Sequence, residues 1–420
     1  MTFQNDLVFA QEQDNADSLS GFRQKFHFPK TPSGKDFIYL TGNSLGLQPK
    51  ATAAYLQQEL SDWQNLGVEG HFRAKNPWKD YHEFLTDAMA RVVGAKPIEV
   101  VVMNNLTVNL HLLMASFYRP TAKRYKILIE NNPFPSDEYA VKSQIQFHGY
   151  DVEKSLIKLP QRGNISYFFM ADIEQCIRQH GEEIALILIG NVNYLTGQAF
   201  DMHRITTLGH SFGCQVGFDL AHGAVNLLMN LHDIGCDFAA WCSYKYLNAG
   251  PGGPGGVFVH ERHANDDTLL RFAGWWGHDK FTRFNMPPDF KPLAGAEGWQ
   301  LSNPSVFALA GLKASLTLFD ETTMLCLREK SIKLTAYLYY LIMSLSDDRI
   351  FILTPESPNE RGAQLSIAIK GVKKSIIETL SANGVIADWR EPNVVRIAAV
   401  PMYCSYEDAW QFVAVLKKVL

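Results

Sequence analysis

Short apolar runs that alternate with amphipathic stretches constrain this chain more than any other feature. EVVVM (99–103), YKILIE (125–130), IALILIG (184–190), CQVGFD (214–219), DFAAWCS (237–243) and GGVFVH (255–260) are each short and almost wholly apolar. Between them, helical spacing recurs near 106–116, 136–147 and 201–211. Strands buried on both faces and separated by helices predict an α/β lobe with a mostly parallel sheet flanked by helices. Helical spacing also precedes the series, in ATAAYLQQELSDWQ and from about 79 to 93. After Trp299 the pattern changes. A long helical stretch over 305–345, broken near Asp320, leads into QLSIAIKG (364–371), a helix near 373–382, VVRIAAV (394–400) and a helix near 406–419. A chain of 420 residues exceeds what one core usually organises. The expected division is an N-terminal arm (1–48) lying across either lobe, a large α/β domain (49–297) and a small α+β C-terminal domain (298–420).

Composition narrows the partners. Thirty-nine Lys and Arg against 43 Asp and Glu leave a net charge of −4, which lacks the electrostatic footprint of a nucleic-acid or anionic-membrane binder. No apolar run reaches the ~18–20 residues of a membrane helix, and the first twenty residues lack a basic segment followed by an apolar one. The six cysteines form no C-x-x-C pair and no zinc spacing, so no metal is expected and the thiols read as reduced. The expectation is a cytoplasmic enzyme.

Chemistry concentrates in two segments. In WCSYKYLNAGPGGPGG (241–256), Lys245 follows an apolar strand and precedes a Gly- and Pro-rich turn. A lysine partly withdrawn from water there favours the neutral amine that a Schiff base needs. In GFDLAH, Asp219 ends a buried strand and His222 follows three residues later. A buried aspartate needs a cation, and a protonated pyridine nitrogen is one. Together the two segments predict pyridoxal 5′-phosphate. Its phosphate needs a helix N-terminus and hydroxyls. Leu106 and Thr107 open one helix, Ser136 and Asp137 cap another, and Phe134 is placed to stack on a planar ring. Tyr244 can bond the phosphate or move a proton. Trp275, beside Trp276, can bond the phosphate through its indole, and Arg396 can clamp a substrate carboxylate. Taken singly, each also fits a plain role: a solvated lysine, a helix cap, a structural histidine, a packing tryptophan or an exposed strand arginine.

With these residues the chain resembles the kynureninase family, in the fold type I (aspartate-aminotransferase-like) group. The resemblance runs through GNSLGLQP (42–49), NNLTVNLHLLM, FPSD, TGQAFD, GFDLAH, CSYKYLNAG, GWWGH, SNPS and VRIAAVPMY (395–403). It implies that Lys245 bonds the cofactor covalently. Asp219 and His222 would face the ring, with Leu106, Thr107, Phe134, Pro135, Ser136, Asp137, Tyr244, Trp275 and Asn303 completing the site. Asn43, Ser44, His71, Ser302, Asn303 and Arg396 would meet the substrate. The implied reaction is hydrolysis of the Cβ–Cγ bond of L-kynurenine or 3-hydroxy-L-kynurenine, in tryptophan catabolism towards NAD, by a homodimer. Tyr244 is the second acid/base candidate. Polar groups at His71, Ser302 and Asn303 predict a preference for the 3-hydroxylated substrate. Gly190 departs from the pattern, since many relatives carry a hydroxyl residue there, with Thr196 the downstream hydroxyl placed to compensate. A cysteine-desulfurase-like lyase and a non-catalytic scaffold of the same fold remain as alternatives.

Overall fold

The structure is a computed structural model that describes residues 2–163, 166–266 and 268–420. The six apolar runs and one further short segment, β3, become the strands of one central sheet: β1 (Val100–Met103), β2 (Lys126–Ile129), β3 (Leu156–Lys158), β4 (Ile184–Gly190), β5 (Gln215–Asp219), β6 (Phe238–Trp241) and β7 (Gly255–Val259). Their spatial order is β3-β2-β4-β5-β6-β7-β1. Every neighbouring pair is parallel except those of β7, which runs antiparallel to both β6 and β1. The exception has a chain-length cause. A parallel crossover needs a helix to carry the chain back, and the Gly- and Pro-rich stretch between β6 and β7 contains none. The chain therefore folds straight back at the carboxyl edge of the sheet, carrying Lys245 with it.

Helices start and stop where local chemistry dictates. Asn105 caps the helix Leu106–Phe117 by accepting the Val108 N–H at 3.4 Å. The expected break in the long C-terminal helical stretch falls between Val306–Asp320 and Met324–Met343, where Thr323 caps the second helix through the Cys326 N–H at 3.1 Å. Val306–Asp320 packs on Thr52–Leu66 and Glu83–Val93 beside the central sheet.

A second sheet is built from β8 (Ile350–Ile352), β9 (Gln364–Ile369), β10 (Asp388–Arg390) and β11 (Val394–Ala398), all antiparallel in the order β8-β9-β11-β10. Strands β3, β8 and β10 and the helix Met170–His180 are elements that periodicity did not mark. The N-terminal arm lies on this smaller unit. Ile38–Tyr39 pairs in parallel with Val385–Ile386, and Asp14 accepts the N–H groups of Tyr406 and Glu407 at 2.7 and 2.9 Å, capping the last helix. The segment after β4 is the saddle between the units. Tyr194 O accepts from Gln364 at 3.1 Å and from Arg396, and Ala199 N–H donates to Glu360 O at 2.8 Å.

The middle of the sheet has no slack. Gly217 in β5 faces Phe238 in β6, and a Cβ at 217 would lie 2.2 Å from the Phe238 ring. Phe238 in turn stacks on Phe117 at 4.9 Å. Gly217→Ala is expected to lower stability by about 1–3 kcal/mol through overpacking, read as a lower urea midpoint with an unchanged m-value.

Candidate active site

Parallel strands deliver their C-terminal residues to one edge, where an open α/β sheet places its functional groups. Here that edge carries Glu130 after β2, Gly190 ending β4, Asp219 ending β5 and Ser243–Lys245 after β6. The helix starts at Leu106 and Pro135 arrive at the same edge. They enclose a cavity of about 380 Å³. Of the residues singled out in the sequence, Leu106, Thr107, Phe134, Ser136, Asp137, Asp219, His222, Tyr244 and Lys245 line it.

The ionisable groups are arranged around Asp219, which is buried and accepts the Ala221 N–H at 2.7 Å. That bond lies in a turn, so the helix-cap reading of Asp219 does not hold. Asp137 shares a side-chain hydrogen bond with Asp219. Burial, then the charge and hydrogen bond of Asp219, push the Asp137 carboxyl well above the ordinary carboxylate range. Lys245 Nζ lies 3.0 Å from His222 Nε2. Burial, reinforced by the charges of Lys245, Arg396 and Arg390, holds His222 far below the usual histidine value, so the imidazole is neutral and Nε2 accepts from the ammonium. The other ring nitrogen, Nδ1, is buried without a partner. Burial first, then Cys242 and Asp219, raise the Tyr244 phenol, which stays protonated at neutral pH.

The cavity lining also carries uncharged polar groups. Thr107 Oγ1 and Ser136 Oγ meet at 2.9 Å, each in the first turn of its helix. Phe134 adds a half-exposed ring to the lining, braced edge-on by Tyr194 at 5.4 Å and 5.9 Å from Lys245 Nζ. A planar cation-bearing ring with an anionic tail fits this set of groups: buried carboxyls, an aromatic wall, and two hydroxyls at two helix N-termini.

Other candidates lie elsewhere. Arg396 is 1% exposed, which overturns the exposed-strand reading. It does not line the cavity but sits behind Tyr194, donating to Tyr194 O, to Asp388 and to Ser44 Oγ at 3.4 Å. Asp388 also accepts from Ser44 at 2.9 Å and from Arg390 at 2.8 Å. Asn43 is fully buried and donates to Gln364 at 2.9 Å. Pro135 starts its helix without facing the cavity. The Trp275 indole donates to Arg283 O at 3.0 Å, so within this chain it bonds no cofactor phosphate. Ser302 and Asn303 are exposed, and His71 packs edge-on against Trp78 at 5.5 Å. None of these four lines the cavity. Thr196 is buried against Asn193 and cannot stand in for a hydroxyl at Gly190.

Glu130, Tyr194 and Asp388 escaped the sequence reading. Glu130 carried a usable signal, a charged residue closing an apolar strand. Tyr194 and Asp388 carried none, since one acts through its carbonyl and the other through a cross-strand pairing with Arg396.

A seven-stranded sheet with one reversed strand, a strand-end aspartate and a lysine on the returning loop define a fold type I protein. Solved structures agree on the fold. A C-DES mutant with glycine covalently linked to its PLP cofactor superposes with a TM-score of 0.77 at 15% identity, covering 94% of this chain and 98% of that one. Cysteine desulfurase from Thermococcus onnurineus gives 0.76 at 17%, covering 95% and 97%. The chain belongs to the kynureninase family. It is 55% identical over 415 residues to the kynureninase of Myxococcus xanthus, covering 99% of this chain and 97% of the relative. It is 56% identical over 405 residues to that of Koribacter versatilis, covering 96% of each. The kynureninase C-terminal domain profile matches residues 327–416.

Burial lifts the Glu130 carboxyl to about 7, against the opposing N–H of Gly190. A carboxyl raised on folding stabilises the fold below its unfolded value and loses that contribution as pH rises through the folded one. The cofactor-free protein is expected to lose about 3 kcal/mol between pH 4.5 and 7 from this group. Urea midpoints measured across that range should show the loss in the wild type and its absence in Glu130→Gln.

Proposed function

We propose that this chain is a pyridoxal-phosphate-dependent kynureninase that hydrolyses the Cβ–Cγ bond of L-kynurenine or its 3-hydroxy form, releasing an anthranilate and L-alanine. The observation that carries the reading is the placement of Lys245 and Asp219 on one cavity together with the Phe134 ring and the Thr107–Ser136 hydroxyl pair. Bound pyridoxal phosphate supplies an electrophilic carbon for amines and a cationic ring that accepts negative charge. Asp219 would accept the ring N–H, Thr107 and Ser136 would hold the phosphate, and Phe134 would cover the ring face. Lys245 Nζ would hold the cofactor and, once freed by the substrate amine, would take the proton from substrate Cα and return one to Cα before alanine leaves. His222 holds that nitrogen in place through its 3.0 Å contact. A water adds to the γ-carbonyl. As the Cβ–Cγ bond breaks, its electron pair stays on Cβ, which takes a proton from the Tyr244 hydroxyl. Arg396, buried behind Tyr194 with Ser44 beside it, would meet the substrate carboxylate once Tyr194 moves off it, with Asn43 the further polar group for the substrate. The lyase alternative requires a mobile thiol at the site, whereas Cys242 is buried and the exposed Cys326 lies on the helix Met324–Met343.

The working unit in this reading is a cytoplasmic homodimer in which residues 49–297 hold the cofactor and 298–420 close over the substrate. Exposed rings support the dimer. Phe72, Phe284 and Trp275 form one surface cluster with centroid separations of 6.2 and 5.4 Å. The Trp276 N–H bonds Leu301 O at 3.1 Å, which brings Ser302 and Asn303 to the same face. None of the three lines the Lys245 cavity of its own chain, so Trp275, Ser302 and Asn303 would serve the site of the second copy, and with His71 would favour the 3-hydroxylated ring. Among the described residues no helix is long and apolar enough to cross a membrane.

Purified protein should show a visible absorption band that borohydride bleaches by fixing the cofactor to Lys245. Lys245→Ala should lack that fixation, and wild type with no reducible adduct and no cleavage of kynurenine would exclude the reading. Tyr244→Phe should bind cofactor normally and turn over about 10²–10⁴-fold more slowly. Arg396→Gln should raise KM by roughly 30-fold or more. If the dimer assignment holds, mixing inactive Lys245→Ala with inactive Asn303→Ala subunits restores activity, because each hybrid contains one intact site.

A further inference from the structure

Glu130, Asp137 and Asp219 line one cavity in which Lys245 is the single ammonium. Asp137 and Asp219 share a hydrogen bond, which two carboxyl groups form only with a proton between them. Glu130 has a different setting. It is almost wholly buried at the end of β2, where it accepts the Gly190 N–H at 3.1 Å. It also occupies the space a side chain at 190 would take, since a Cβ there would lie 2.9 Å from Glu130 Oε1. The charged groups facing it are Asp137 from the helix Pro135–Phe147, Asp219 from β5 and Lys245 beyond β6, and β4 presents only Gly190. Among the described residues no lysine, arginine or histidine pairs with it, and a buried carboxyl without a counter-cation rests as the neutral acid.

We propose that Glu130 is a proton-storing residue of the cofactor site, neutral in the cofactor-free protein and ionised when the cationic ring nitrogen docks against Asp219. The step is a simple ionisation: the carboxyl O–H bond breaks, its electrons stay on oxygen, and the proton passes to the buffer. The proposal rests on the reading of the cavity as a pyridoxal phosphate site. Its physical basis is charge balance. With one negative charge on the proton-sharing Asp137–Asp219 pair and Lys245 as the one cation, a second buried negative charge at Glu130 would be uncompensated. A second cation at Asp219 compensates it, and the Glu130 carboxylate then helps to keep the ring nitrogen protonated.

Cofactor-free protein titrated with pyridoxal phosphate from pH 5.5 to 8.5, combined with calorimetry in two buffers of different ionisation enthalpy, tests this. The wild-type Kd should fall as pH rises towards 7, by about tenfold per unit at most, and level off above it. At pH 6.5 binding should release up to about one proton more from wild type than from Glu130→Gln, whose Kd should lack that fall. Glu130→Asp, which retains a carboxyl, should keep the extra proton and covers the case in which the glutamine variant does not fold. Equal proton release by wild type and Glu130→Gln, both binding cofactor, would overturn the proposal. Failure of the wild type to bind pyridoxal phosphate would instead overturn the reading of the cavity.

Discussion

Everything at the site is referred to one carboxylate held still. Asp219 ends a central strand clamped between β4 and β6, its backbone carbonyl bonded to the Asn191 N–H at 2.9 Å and its side chain to the Ala221 N–H. Behind it, Gly217 leaves just enough room for the Phe238 ring. A buried carboxylate is costly unless something cationic or protonated faces it. The surrounding residues meet that demand by a shared proton from Asp137 and by the ammonium of Lys245 across the cavity.

The same constraint explains why the loop after β6 is rich in glycine and proline. It must reverse the chain within a few residues, seat Lys245 opposite Asp219 and approach the cavity closely. Gly252 takes a left-handed φ of +72°, and Gly252 and Gly253 both line the cavity. The return into β7 then needs Gly256, where a Cβ would meet Trp241 at 2.2 Å. Bulkier residues there would push the turn away from the cavity and the lysine with it.

The smaller unit joins the site through backbone as much as through side chains. Tyr194 O receives Arg396 and Gln364, while the Tyr194 ring braces Phe134. One residue on the saddle after β4 thus touches both the buried Arg396 and the aromatic wall of the cavity. Asp388 gives the buried guanidinium a counter-charge, which a cation so withdrawn from water requires.

The apolar runs alternating with helices pointed to the mostly parallel sheet, since a helix between two buried strands carries the chain back for a parallel crossover. The Asp219–His222 and Lys245 spacings determined the chemistry, because strand ends in such a sheet share one edge. The reversal of β7, the arm's attachment to the small sheet and the partnership of Asp388 with Arg396 are long-range facts that no local pattern carries. Glu130 was visible as a strand-end charge, but its neutral state depends on the absence of a cation around it, a property of packing alone. Trp275 and Asn303 show the other limit. Their motifs marked them for the site, yet the fold of one chain places them on an exposed face, because the distance between surface and cavity is decided in three dimensions. Residue types along the chain specified which chemistry is present. Only the tertiary structure decided which of those residues share a cavity and how their charges balance.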